Sequence, residues 1–318
     1  MRDCLWALLL FCGLGAPVTA ADEPKHLHVL GRSAVEGYQV QLDEKDWQWL
    51  RGKRVLRLGV SGPDYPPFEI TRNVDELEGI TADYAALLGQ LLHVKIDVLR
   101  YRTREAAMDA LKRDDLDLLG TSNNFEVADP ELTRSSAYAE DQPMLVTRLD
   151  DWMPVDLAGK RIAMVDDYLQ AQTVEAFYPD ASLQRYPSAL DAIGAVAFGQ
   201  DDVYLGDFIS ANYLINNNYL SNVRLVGPSG LDANPFGFAF SRGNPRLKSI
   251  VDMALATIPM DERTAIEQRW SAGRANMAGQ ERVRLSASEQ RWLDQHPTVE
   301  VGAVENFAPL TFYDAQGQ

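Results

Sequence analysis

The sequence predicts an α/β chain folded into two lobes with a cleft between them. Two observations carry this reading. Strand and helix patterns alternate from Val55 to Gly120 and again from Arg161 to Pro228, the signature of parallel sheets flanked by helices. A further strand and two helices follow the second run, so the chain has material for a return. A third observation concerns the organisation beyond the lobes. "QWLRGKRVLRLGV" at 48–60 is echoed by "RWLDQHPTVEVGA" at 291–303, with Trp49 against Trp292 and Gly59 against Gly302, both 243 residues apart. That is a repeat of domain size, and residues 289–318 read as the start of a second copy.

The elements follow in order. Residues 1–20, "MRDCLWALLLFCGLGAPVTA", read as a secretory signal peptide. Arg2 precedes an apolar run from Leu5 to Leu14, and Val18-Thr19-Ala20 offers small residues for cleavage. The run is short of the ~20 apolar residues that span a bilayer. Residues 21–53 form a leader: "LHVLGRSAVEGYQVQL" predicts a hairpin around Gly31 and Gly37, and "DEKDWQWLRG" a short helix capped by Asp43 and stopped at Gly52. "VLRLGV", "KIDVLRY" and "LDLLG" are strands, with "GITADYAALLGQLLHV" and "TREAAMDALKRD" the helices between them. In the second run "RIAMV", "SLQRYP", "DVYLGD" and "VRLVGP" are strands. The helices there are "QAQTVEAFY", "SALDAIGAVAFG" (capped by Ser188) and "FISANYLINN". "FGFAFSR" returns as a strand before two helices divided by Pro259, and 276–288 is a polar linker.

Composition narrows the chemistry. Cys4 and Cys12 are the only cysteines and both lie in the signal peptide, so the mature chain has no disulfide, thiol nucleophile or cysteine metal site. His26 and His28 are close in sequence but lack the further ligands that a catalytic metal needs, and no cofactor is expected. A formal charge of −16 argues against nucleic acid as a partner. No serine elbow accompanies the scattered histidines, so nothing in this segment reads as an enzyme. Ligands of α/β sheets bind beyond the carboxyl ends of the strands. The loops to inspect are therefore "SGPDYPPFEI", "GTSNNFEVAD", "VDDYLQ" and "GDFISAN", which suit a small polar ligand.

"VLRLGVSGPDYPPFEI", "LEGITADYAALLGQLL", "ALKRDDLDLLGTS", "DLAGKRIAMVDD" and "NPFGFAFSRGNPRLKSIVDMALATI" come in an order that resembles the family 3 periplasmic solute-binding proteins. The leader, "GITADY" and the restart at Trp292 resemble more narrowly the periplasmic part of BvgS-type sensor histidine kinases, with tandem Venus flytrap domains. The resemblance implies a two-lobed periplasmic-binding-protein fold at 54–275 with two hinge crossings, near Pro143–Arg148 and Gly227–Pro235. Lobe one would take 54–143 and 236–275, and lobe two 148–227. It implies a periplasmic segment of an inner-membrane kinase, partnered by a small-molecule ligand, a second flytrap domain in the same chain and a second copy through the parent kinase. A free binding protein of an ABC importer is the alternative, and an enzyme on the same scaffold a third.

The family also marks site residues. Asp207 stands where amino-acid-binding relatives hold the ligand ammonium, and it also fits a helix N-cap. Tyr65 and Phe68, beside Asp64, match the aromatic lip of lobe one, or wall packing around Pro66 and Pro67. Thr121, Ser122 and Asn123 offer hydroxyl and amide groups, or a polar turn. Asp166, Asp167 and Tyr168 precede a helix, where the two acids are expected to cap rather than to bind an anion. The arginine that usually follows the threonine of this strand is missing: "SNNFEVADPELTRSSAY" carries only Arg134. The expectation is therefore a neutral or cationic ligand and no carboxylate clamp.

Overall fold

The computed structural model describes residues 23–271, apart from 35–36, 152–155 and 219. The expected signal peptide, linker and restart at 289–318 lie outside the described residues.

In the first part of the chain β1 (Lys25–Val29) and α1 (Glu44–Lys53) precede β2 (Val55–Ser61), β3 (Ile70–Arg72), β4 (Glu76–Glu78), α2 (Ile80–Leu92), β5 (Lys95–Tyr101) and α3 (Arg104–Lys112). Then come β6 (Leu118–Ser122), α4 (Asn124–Val127) and β7 (Leu132–Arg134). The second lobe holds β8 (Pro143–Arg148), β9 (Arg161–Val165), α5 (Ala171–Phe177), β10 (Ser182–Tyr186), α6 (Ala189–Ala197), β11 (Val203–Asp207), α7 (Phe208–Asn217) and β12 (Val223–Pro228). The chain returns through β13 (Gly237–Ser241), α8 (Pro245–Thr257) and α9 (Met260–Trp270).

These residues form these elements for local reasons. In α2 the apolar positions Leu87, Leu88 and Leu91 recur at helical spacing and are buried with Ile80 and Tyr84. Each such leucine contributes about 1.5–3 kcal/mol by leaving water. Asp43, Thr103 and Ser188 cap α1, α3 and α6, each accepting a backbone N–H from the first turn. Asn244 caps α8, and Pro245 opens it where no N–H is required. The first cap agrees with the sequence reading, but α1 runs on to Lys53 rather than stopping at Gly52, and Arg54 takes the positive φ of 58°.

The two sheets repeat one plan. In the larger, β2 lies between β5 and β6, both parallel to it, and β13 joins β6 antiparallel. In the smaller, β9 lies between parallel β10 and β11, and β8 joins β11 antiparallel. In each sheet the strand that has just arrived from the other lobe, β8 or β13, runs antiparallel to its neighbour. The parallel expectation thus holds for the core of each sheet, and the exceptions are the crossing strands and the outer pairings β1 with β5 and β3 with β4.

Two local expectations are corrected. Among the described residues the leader shows no hairpin: β1 pairs antiparallel with β5 and parallel with β4, so its partners are distant strands of lobe one. The first crossing precedes Pro143, because all of β8 belongs to the second sheet, paired with β11 and β12. The two crossing segments pair with one another there. Phe236 N–H donates to the Ala139 carbonyl at 2.8 Å and Asn234 N–H to the Asp141 carbonyl at 3.1 Å. Buried Asp83 on α2 gathers the return helix, accepting from the Trp270 indole at 2.8 Å and from Arg269 at 2.6 Å.

Candidate functional site

The carboxyl ends of β2, β6 and β9 meet at a small cavity of about 40 Å³ between the lobes. Lobe one supplies Tyr65, Glu69, Arg104, Thr121, Asn123 and Glu126 to its wall, and lobe two supplies Val165, Asp167 and Pro187. Ligand pockets for drug-sized molecules hold roughly 300–1,000 Å³. This cleft is closed down to the scale of a few waters.

The floor is built around Thr121. Its φ of +44° is unusual for a β-branched residue, and side-chain hydrogen bonds hold it there. The Thr121 hydroxyl donates to Glu69 Oε1 at 2.6 Å, its N–H donates to the Tyr138 hydroxyl at 3.1 Å, and the Thr81 hydroxyl is 2.7 Å away. Gly120 permits this approach, since a Cβ there would lie 2.5 Å from Glu69 Oε1. Burial pushes the Glu69 carboxyl up to about 7, with Arg104 and the Thr121 hydroxyl drawing it partly back.

Arg104, the first residue of α3, is 6% exposed and pairs with Glu126, which is 1% exposed, at 2.7 Å. Its remaining N–H groups reach the Gly120 carbonyl at 2.7 Å and the Thr121 carbonyl and Ser122 hydroxyl at 3.0 Å. An arginine is therefore present in the cleft, contrary to the sequence expectation. It comes from the start of α3, after β5, rather than from the segment after β6. Asp167 of lobe two faces this centre, its carboxyl pushed up to about 6 by burial and partly restored by Arg104.

Toward the hinge the chemistry changes. The Tyr65 hydroxyl donates to Asp207 Oδ2 at 2.7 Å, a bond from lobe one to lobe two. Asp207 caps α7 with its other oxygen, accepting Ser210 N–H at 2.6 Å. Beside it Asp141 accepts the Tyr168 hydroxyl at 2.7 Å and Phe208 N–H at 3.1 Å. Both carboxylates are buried. Burial and then the Asp207 charge push Asp141 up to about 8, and burial raises Asp207 as well. Tyr204, buried nearby, has no hydrogen-bond partner for its hydroxyl among the described residues.

The sequence-predicted residues divide accordingly. Tyr65, Thr121 and Asn123 line the cavity, Asp207 joins it through Tyr65, and Tyr168 is bonded to Asp141 at the hinge end. Ser122 lies behind Arg104. Asp64 is turned to its own loop, accepting from Thr71 and pairing with Arg100 at 2.7 Å. Phe68 packs on Phe236 with ring centroids 4.3 Å apart, which is wall packing. Asp166 and Asp167 do not cap α5, whose N-cap is Gln170; Asp166 lies 3.5 Å from Arg185. His26 approaches Asp97 at 3.4 Å, and the described residues contain no group of three or more potential metal ligands.

Arg104, Glu69, Glu126 and Asp141 escaped the sequence reading. Arg104 had a signal, because "RTREAA" follows the strand "KIDVLRY" and belongs with the other strand-end loops. Glu126 had one too: Asn123 and Glu126 stand three apart, the spacing of a capping box, and both of its hydrogen bonds are formed.

The family model of the bacterial extracellular solute-binding proteins, family 3, matches residues 56–273. The virulence sensor protein BvgS of Bordetella parapertussis is 39% identical over 99% of this chain, which spans 25% of that protein. The crystal structure of the B. pertussis BvgS periplasmic domain is 37% identical and superposes with a TM-score of 0.72, covering 92% of this chain and 57% of that one. The BvgS periplasmic VFT2 domain from the same species is 26% identical with a TM-score of 0.67, over 73% of this chain and 99% of that domain. Among the described residues no helix is long and apolar enough to cross a membrane. The chain belongs to the bacterial extracellular solute-binding proteins, family 3, and is homologous to the periplasmic Venus flytrap region of the BvgS sensor.

Proposed function

We propose that the chain is the first ligand-sensing flytrap of a membrane-bound sensor histidine kinase, and that opening and closing of its two lobes sets kinase output. The observation that carries this reading is the Tyr65–Asp207 hydrogen bond. It joins residues 142 positions apart across the cleft and ties lobe closure to a named donor and acceptor. A signal molecule acts by changing the relative stability of open and closed lobes, and only by its differential affinity for them. Asp207 and Asp141 are acidic, and the donors that meet them are hydroxyls and backbone N–H groups, so a neutral or cationic molecule suits that end of the cleft. Residues 289–318 would begin a second flytrap; the likeness of this chain to the BvgS VFT2 domain supports a duplicated unit.

The test uses the full-length parent protein. Asp207→Asn keeps a capping oxygen on α7 but removes the charge. In the parent it should alter autophosphorylation and weaken the response to cationic small molecules, read by calorimetry and by phosphate transfer. A parent whose phosphorylation is unchanged by Asp207→Asn and unchanged by Tyr65→Phe would remove lobe closure from the mechanism.

A further inference from the structure

We propose that Glu126 is a built-in carboxylate ligand, occupying on Arg104 the place that a free carboxylate would otherwise take in the cleft. The inference rests on the flytrap reading of that cleft and concerns which molecules it admits.

A guanidinium stays charged in proteins. Arg104 is almost wholly buried, so its charge needs a fixed counter-charge, and the partner at 2.7 Å is Glu126 Oε1. The second oxygen, Oε2, accepts the backbone N–H of Asn123 at 2.7 Å. One carboxylate is thus held by a guanidinium on one side and a backbone amide on the other, at the end of β6 and on the cavity wall. Charge-assisted bonds of this kind are how a protein recognises a carboxylate on any small molecule. Here the carboxylate is tethered to the chain, and a tether raises the effective concentration of an occupant without adding a contact. A free carboxylate must displace it.

A capping role for Glu126 explains the bond to Asn123 but not the buried arginine on its other oxygen. The two roles separate by charge. Glutamine at this position can still accept from Asn123 and can no longer neutralise Arg104. Alanine keeps Cβ, removes both bonds and leaves a space shaped like the lost methylene and carboxylate, for which acetate is the matching free molecule and acetamide its neutral counterpart.

The experiment measures melting temperatures of the full chain with sodium acetate, acetamide, or sodium chloride at matched ionic strength. Wild type should respond equally to acetate and chloride. Glu126→Ala should melt lower and recover with acetate in a saturable manner, with no recovery from acetamide. Adding Arg104→Met to Glu126→Ala should abolish the recovery. If the alanine variant does not fold, Glu126→Gln serves: it should melt lower than wild type, and adding Arg104→Met should raise its melting temperature. Equal effects of acid and amide, an acetate response that survives Arg104→Met, a glutamine variant that Arg104→Met does not stabilise, or a wild type that binds acetate as tightly as the variant would each overturn the proposal. A parent kinase that ignores every small molecule would defeat the sensing reading and leave this result standing.

Discussion

The two ends of the cleft bury acids equally deeply and compensate them differently. At one end Glu126 is paired with Arg104 and locked by a backbone amide. At the other, Asp141 and Asp207 are held by tyrosine hydroxyls and backbone N–H groups. The comparison teaches that burial alone does not decide the state of a carboxyl group. An adjacent cation offsets the cost of burying a carboxylate, whereas hydroxyl donors offset less of it, and a second acid alongside favours proton binding. Glu69 shows the same rule within the first end. The arginine is committed to Glu126, and Glu69, bonded to a threonine hydroxyl, rises to about 7. The Arg104 end combines a charge pair with the proton-binding Glu69, and the hinge end is a pair of acids that titrates as a unit.

The largest expected effect is on pH dependence. Asp141, Glu69 and Asp167 have folded pKa values raised to about 8, 7 and 6, above the ordinary values of 3.8, 4.5 and 3.8. The folded state therefore binds more protons than the unfolded chain between those limits. Stability contributed by these groups is complete below about pH 4 and is lost as pH rises toward about 8. Urea midpoints should fall across that window, and Asp141→Asn should flatten the upper part of the fall. A midpoint that rises steadily from about pH 5 to about pH 8 in wild type, with no change in the variant, would contradict the raised values of these three buried acids.

Breaking the fixed pair comes next. Arg104→Met leaves Glu126 buried without its cation and should cost ~3–5 kcal/mol in urea unfolding. Replacing both members by apolar residues should recover much of that loss. A cost for Arg104→Met no greater than that of a surface substitution would mean that the pair is not isolated from water.

Tyr65→Phe sharpens the comparison at the hinge end. It removes a hydrogen bond to a carboxylate, worth about 1.5–3 kcal/mol where the acceptor is ionised. It should also increase the radius of gyration in small-angle scattering, since this bond spans the lobes. Unchanged scattering would show that other contacts hold the lobes together. One such contact is present: Gln170 of lobe two donates to the Phe125 carbonyl of lobe one at 3.1 Å.

The smallest effect is a control away from the cleft. Ser188→Ala removes the cap of α6, whose side chain accepts Asp191 N–H at 3.1 Å. It should cost ~1 kcal/mol and leave both the pH profile and the scattering untouched. A change in either would show that lobe two transmits local loosening to the cleft.

Much of this architecture was legible along the chain because its causes are local. Helical spacing in α2, the caps Asp43 and Ser188, and alternating strand and helix patterns act over a few residues and appear wherever the sequence is read in short windows. Tyr65 and Asp207 could be marked because each sits at a strand-end loop of a recognisable fold. Tertiary structure alone decided who meets whom. β1 found strands of lobe one rather than its own neighbours, because its free edge groups are satisfied only by β4 and β5. Arg104 met Glu126 because α3 begins beside the end of β6, and Tyr65 met Asp207 because two lobes close on each other. Pairings of that kind depend on strand order and on the hinge, and a charge in the sequence carries no mark of the partner that burial will assign to it.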